Sequence, residues 1–260
     1  MAIYSLKKSY RLKDLKEIDF KDLWGDHGVF TTMWIFGKPA KILFFKDHIK
    51  NLIQSLDKYK IKKRFIKQDI LRIINKNLSK KKNYNDLLRV ALNKNIFSIS
   101  IRKRFVPKLD FDLKLVNLKR EKPQFKNLKY KKILSYLSKM DNTKSDIGLV
   151  YNKKLLETGT SNLLFIKENK VFSPKKDYYK GNTYKYFISK IKRIIKKDIF
   201  IHELKDYDEI ILIGSGKGVA SVKSIREIKW KRKNLDYYKL FSKYYQSAIK
   251  KCNFYKYERP

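Results

Sequence analysis

The sequence predicts an α+β fold made of two α/β domains. Three observations predict it. Short β-branched and aromatic runs bounded by turn residues alternate with apolar residues at helical spacing, and they do so in both halves of the chain. A charged stretch holding two prolines, "VPKLDFDLKLVNLKREKPQF", separates the halves and reads as an extended connector. The 260 residues are 43% hydrophobic and 14% aromatic, enough to bury a full core in two domains of ordinary size. The boundaries that follow are a small N-terminal domain over 1–107, a connector over 108–123 and a larger C-terminal domain over 124–260.

In the first half, "VFTTMWIF" is a strand, "GKP" is turn chemistry and "AKILFF" is a second strand. Asp47 then reads as the N-cap of a helix carrying Ile49, Leu52, Ile53 and Leu56 on one face. "KQDILRIINKNL" predicts a second helix, and "DLLRVALN" and "IFSISIR" predict strands ending near Pro107. Beyond the connector, "KNLKYKKILSYLSKM" sets Leu128, Ile133, Leu134 and Leu137 on a helical face, and "DIGLVYN" is a strand. Leu163, Phe165, Val171 and Phe172 belong to a hairpin turning at Glu168-Asn169-Lys170. "GNTYKYFISKIKRII" is a helix, "EIILIG" a buried strand, "VKSIREIKW" a further strand, and "LDYYKLFSKYYQSAIKK" a closing amphipathic helix.

The net charge is +39. Basic residues are spread through every segment, a pattern that fits an AT-rich coding composition, whereas phosphate contacts must converge on one surface to add up. Nucleic acid is therefore not the expected partner. The positive field favours a small anionic substrate instead. One cysteine, Cys252, precludes an internal disulfide and fits a reducing cytoplasm. Apolar stretches such as "KILFF" are too short to span a bilayer, and the N-terminus has no apolar leader region.

The segments with chemical content come late in the chain. Glu157 sits at the mouth of the hairpin, followed by the small residues Thr158, Gly159, Thr160, Ser161 and Asn162. Gly181-Asn182-Thr183 opens a predicted helix, where free amides and the helix dipole favour an anion. Gly214, Ser215 and Gly216 follow a strand and can form an anion-cradling nest. That turn lacks the first glycine of a phosphate-binding G-x-x-x-x-G-K-[ST] loop.

In order, "GDHGVFTTMWIFGKP", "DHIKNLIQS", "FKNLKY", "LLETGTSNLLFIKENKVFSP", "KGNTYKYFI" and "ILIGSGKGVASVKSIREI" resemble the fold-type IV pyridoxal-phosphate enzymes. That family includes branched-chain and D-amino-acid aminotransferases and aminodeoxychorismate lyase, and the resemblance runs over roughly residues 20 to 250. It implies a D-amino-acid aminotransferase-like fold, pyridoxal 5'-phosphate as cofactor, no metal, and a homodimer. It also implies that Glu157 pairs with the pyridine nitrogen and that Lys126, 31 residues earlier, carries the cofactor. Lys129, Lys131 and Lys132 lie close by, and Phe125 and Leu128 flank Lys126 with apolar surface. By the same resemblance Tyr130 reaches the phenolic oxygen, while Asn182, Thr183, Gly214 and Ser215 hold the phosphate. Asn51 stands where the family has a phosphate-binding arginine, with Lys50 and Lys217 as replacement cations. Tyr184 stands where the family has a second arginine, and "GDHGVF" shifts the family's aspartate to His27 or carries an insertion.

Phe30-Thr31-Thr32 resembles aminodeoxychorismate lyase, and Thr32 then matches its proton-handling threonine. Arg89, Arg102 and Arg104 are the candidate cations for substrate carboxylates. The implied reaction converts 4-amino-4-deoxychorismate into 4-aminobenzoate and pyruvate. The alternatives are a class IV aminotransferase acting on branched-chain or D-amino acids, and a catalytically degenerate basic binding protein on the same scaffold.

Overall fold

The computed structural model describes residues 3–256. The chain divides into two compact units. The first comprises Met1–Arg104, Phe125–Lys131 and Lys251–Pro260; the second comprises Phe105–Gln124 and Lys132–Lys250.

The first unit is a six-stranded sheet with two helices on one face. Its strands are β1 (Tyr4–Arg11), β2 (Glu17–Ile18), β3 (Gly28–Gly37), β4 (Lys41–Ile42), β5 (Tyr84–Asn93) and β6 (Ile96–Lys103), in the order β2-β1-β6-β5-β3-β4. All pairings are antiparallel. Helices α1 (Phe45–Lys58) and α2 (Ile66–Asn77) place Ile49, Leu52, Leu56, Ile70 and Ile73 against Val29, Met33, Ile35, Leu88, Val90, Phe97 and Ile99. Because side chains alternate along a strand, the intervening Phe30, Thr32, Trp34, Leu87, Arg89, Ser100 and Arg102 occupy the opposite face. That face is rich in polar side chains, among them the candidate residues Thr32, Arg89 and Arg102.

Several sequence expectations change here. "AKILFF" is a strand for only two residues, because Phe44 turns left-handed (φ 56°) and Phe45 already begins α1. Asp47 falls in the first turn of that helix rather than capping it. The N-terminal β1 and β2 carried no sequence expectation and form one edge of the sheet. Lys126, expected to open a helix in the C-terminal domain, instead lies on an extended segment of the first unit. Phe30 N–H donates to the Lys126 carbonyl at 2.9 Å and Leu128 N–H donates to the Gly28 carbonyl at 2.9 Å, adding residues 126–128 beside β3. The helix, α3, is confined to Lys131–Leu137.

The second unit is built on a nine-stranded sheet. Its strands are β7 (Phe111–Asn117), β8 (Ser145–Tyr151), β9 (Lys154–Thr158), β10 (Asn162–Lys167), β11 (Lys170–Pro174), β12 (Ile194–Lys197), β13 (Glu209–Gly214), β14 (Gly218–Ile225) and β15 (Trp230–Lys231). The order is β12-β11-β10-β13-β14-β7-β8-β9, with β15 beside β14. Its core gathers Phe111, Leu113, Leu155, Leu163, Phe165, Ile210, Leu212, Val222 and Trp230. Where a connector was expected over 108–123, β7 pairs in parallel with β14 on one side and β8 on the other. The expected hairpin forms, with Glu168 (φ 49°) and Asn169 (φ 57°) both left-handed, as a two-residue primed turn requires. The helix predicted over 181–195 stops as α4 (Asn182–Ile188), and Ile194–Lys197 becomes β12 beside β11. The closing helix α5 (Asp236–Lys250) starts on Glu209, whose buried carboxylate accepts the Tyr237 and Tyr238 N–H groups at 2.8 and 3.0 Å. Among the described residues no helix is long and apolar enough to cross a membrane.

Candidate active site

In the first unit the site grows from the pairing of residues 126–128 with β3. Gly28 permits that pairing: a Cβ there would run into the Leu92 carbonyl and lie 2.7 Å from Leu128 Cδ1. Lys126 is half-buried, and its Nζ lies 5.3 Å from the centre of the Phe30 ring. Phe30 packs edge-on against Trp24 and Tyr130, and Trp24 stacks on Tyr130 with ring centres 5.6 Å apart. Trp24, Phe30 and Tyr130 thus form an aromatic cluster, with the Lys126 amine near its Phe30 member.

Thr31 and Thr32 point to opposite faces of β3. Thr31 is buried, its hydroxyl 2.7 Å from His48 Nδ1 on α1. Burial, and secondarily the charge of Lys126, pushes the His48 pKa down to about 3, so its imidazole is neutral. Thr32 lies on the polar face, in register with Arg89. Arg89 is committed to Asp22: Nη1 donates to the carboxylate and Nη2 to the main-chain oxygen at 2.5 Å, while the guanidinium lies 3.7 Å from the Trp24 ring centre. Its Nε is buried without a hydrogen-bond partner. Arg102, diagonal to Arg89 across β5 and β6, is held below the usual arginine range by burial. Arg104 lies 4.2 Å from the Trp34 ring centre. Asn51 sits half-buried on α1, one turn beyond His48.

In the second unit Glu157 lies one residue before the end of β9 and is almost fully buried. Arg120 Nε donates to its Oε1 at 2.7 Å, and the Tyr179 N–H donates to Oε2 at 3.3 Å. The other arm of Arg120 donates to the Pro123 carbonyl at 2.7 Å. Two donors from separate segments therefore fix the acid's orientation. Nothing local singles out Arg120, which reads as one more cation in "LKREKP".

The glycine-rich turn lies in the same unit. Thr183 Oγ1 and Ser215 Oγ are 3.5 Å apart. Ser161 Oγ is buried without a hydrogen-bond partner and lies against Gly214, where a Cβ would come within 2.9 Å of it and 3.1 Å of the Thr160 carbonyl. Asn162 organises the approach to α4, donating to the Tyr179 carbonyl at 2.5 Å and accepting from the Gly181 N–H at 3.1 Å. An orphaned hydroxyl, a turn with no room for a side chain and two further hydroxyls suit a phosphate. The residues present therefore fit pyridoxal 5'-phosphate. Lys217, named as a replacement phosphate cation, is instead matched by Asp146 at 3.0 Å. Tyr184 is a core residue, its hydroxyl 2.5 Å from Ser173 Oγ and 2.9 Å from the Tyr178 hydroxyl. Among the described residues no cluster of metal-ligating side chains occurs.

A family model described as amino-transferase class IV matches residues 28–225. Among solved structures, the chain is similar to a branched-chain aminotransferase from Thermoproteus uzoniensis solved with norvaline, at 12% identity and a TM-score of 0.75 over 96% of this chain and 94% of that one. It is also similar to a proposed 4-amino-4-deoxychorismate lyase from Legionella pneumophila, at 18% identity and a TM-score of 0.68 over 85% and 91%. A third is a proposed branched-chain aminotransferase from Thermotoga maritima, at 16% identity and a TM-score of 0.72 over 85% and 86%. At these identities the TM-scores show a shared fold. Among curated proteins none matches this sequence.

Proposed function

The chain belongs to the amino-transferase class IV family of pyridoxal-phosphate enzymes, and on that premise we propose that it is a 4-amino-4-deoxychorismate lyase. The reaction releases pyruvate and leaves 4-aminobenzoate for folate synthesis, in the cytoplasm and by a homodimer. The observation that carries the reading is the polar face of the first sheet. Phe30, Thr32, Arg89 and Arg102 share it, with the Lys126 amine 5.3 Å from the Phe30 ring. Amine, hydroxyl and guanidinium groups together suit proton transfer on a substrate carrying two carboxylates.

Lys126 would hold the cofactor, with Glu157 at the ring nitrogen, Tyr130 and Asn51 at the ring and phosphate sides, and Asn182, Thr183, Gly214 and Ser215 at the phosphate. When bound, the cofactor supplies an electron-withdrawing ring that stabilises negative charge on the substrate. Glu157, held in place by Arg120, would meet the ring nitrogen and favour its protonated form. The Lys126 amine would take up the proton removed from the substrate, and the Thr32 hydroxyl would relay that proton to the departing enolpyruvyl group, so that one proton is removed and one delivered. Arg102 and Arg104 bind carboxylate. Arg89 is tied to Asp22, and its buried Nε is the donor it would have left to offer.

The test incubates cofactor-loaded protein with 4-amino-4-deoxychorismate, and in parallel with a panel of amino and keto acids. The lyase reading expects 4-aminobenzoate and pyruvate in equal amounts. Transamination of the panel without 4-aminobenzoate would select the aminotransferase alternative.

A further inference from the structure

Asp146 is fully buried near the start of β8, and its carboxylate is saturated by donors from two different turns. Its Oδ2 accepts from Thr158 Oγ1 at 2.8 Å, Thr160 Oγ1 at 2.7 Å and Lys217 Nζ at 3.0 Å, while Oδ1 accepts from the Ile147 N–H at 2.8 Å. Lys217 Nζ also donates to Thr160 Oγ1 at 2.6 Å. Thr158 in turn accepts the Ser161 N–H at 2.8 Å and closes the turn that follows Glu157. Lys217 belongs to the Gly214–Gly218 turn between β13 and β14. One buried carboxylate thus ties together the turn after the candidate cofactor acid and the glycine-rich turn. Ser161 Oγ, buried and without a hydrogen-bond partner, lies between them against Gly214.

We infer that Asp146 and Lys217 form a strut that pre-shapes an anion site, with Ser161 as a further phosphate donor alongside Thr183 and Ser215. Lys217 acts as a positioning residue, its charge spent on Asp146 and not on the ligand. Separating the two turns would leave three hydroxyls without a common target. This rests on the reading that the protein binds pyridoxal phosphate.

The experiment compares affinities for pyridoxal 5'-phosphate and for pyridoxal, which lacks only the phosphate. It uses full-length wild type, Asp146→Asn, Lys217→Met, the double variant and Ser161→Ala, with the thermal midpoint of each recorded. The double variant leaves no buried charge unpaired and guards against misfolding. Wild type should prefer the phosphorylated ligand by at least about a hundredfold, since hydrogen bonds to a charged group are the strong ones. Each variant should lose about tenfold or more of that preference while its affinity for pyridoxal stays within about twofold of wild type. A general loss of stability would weaken both ligands together. Wild type that does not distinguish the ligands overturns the cofactor reading and the strut with it. Variants that keep the full preference overturn the strut alone. Loss confined to Lys217→Met, with Asp146→Asn unaffected, would make Lys217 a direct phosphate ligand and overturn the strut as well.

Discussion

His48 shows how firmly the fold dictates a protonation state. Its imidazole is fully buried on α1 beside Thr31 and in the field of Lys126, and its pKa falls to about 3. In the unfolded chain a histidine takes up its proton near 6.5. Between those values the unfolded state binds more protons, so stability is lost as pH falls from about 6.5 towards 3, by up to about 1.4 kcal/mol per pH unit from this residue. His48→Gln should therefore flatten the dependence of unfolding free energy on pH between about 6.5 and 4.5, as read by urea denaturation. Parallel wild-type and variant curves would contradict the assignment. Arg102, with no hydrogen bond to another side chain among the described residues, is the cation best disposed to meet a substrate carboxylate. A bond to a charged group contributes about 1.5–3 kcal/mol, so Arg102→Gln should raise KM about tenfold or more with a smaller change in kcat. A KM within about twofold of wild type would remove Arg102 from the site. Motif order singles out Lys126 and Glu157 in the sequence as the candidate pair. It does not single out Arg120, Asp146 and Ser161, because their contacts depend on partners distant in the chain, such as Arg120 with Glu157 and Asp146 with Lys217.

At the scale of elements, the segment 126–128 is held to β3 through Gly28, where even a methyl group has no room. Gly28→Ala should lower stability by about 3 kcal/mol, the upper range for overpacking, and weaken cofactor retention through displacement of Lys126. Thermal unfolding checks the first effect and the absorbance of the loaded protein the second. Unchanged values for both would contradict the packing. The same pairing explains why the helix predicted from Lys126 onward is short: hydrogen bonds to Gly28 and Phe30 outcompete local helical propensity until Lys131. β7 was missed for a related reason. "FDLKLVN" carries an Asp and a Lys amid its apolar residues, and its strand character comes from flanking by β14 and β8. The hairpin at Glu168-Asn169 and helix α2 were legible because turn chemistry and apolar spacing are local signals.

The whole molecule carries a net charge of +39, a field that would raise the local concentration of the proposed anionic substrate and its encounter rate. Raising ionic strength from about 0.01 to 0.15 M shortens the screening length from about 30 to 8 Å. kcat/KM for a dicarboxylate substrate should then fall several-fold, with kcat nearly constant. A salt-independent kcat/KM would assign the charge to composition alone, and steep salt-dependent retention on DNA or RNA would favour the binding-protein alternative.

Among the many lysines of this chain, Lys126 is the amine proposed to carry the cofactor. The direct measurement loads the protein with pyridoxal 5'-phosphate, reduces it with borohydride and locates the attached group by peptide mass spectrometry. The expected outcome is a single phosphopyridoxyl group on Lys126 in wild type and none at any position in Lys126→Ala. Attachment at Lys129, Lys131, Lys132 or elsewhere, or no attachment at all, would contradict it.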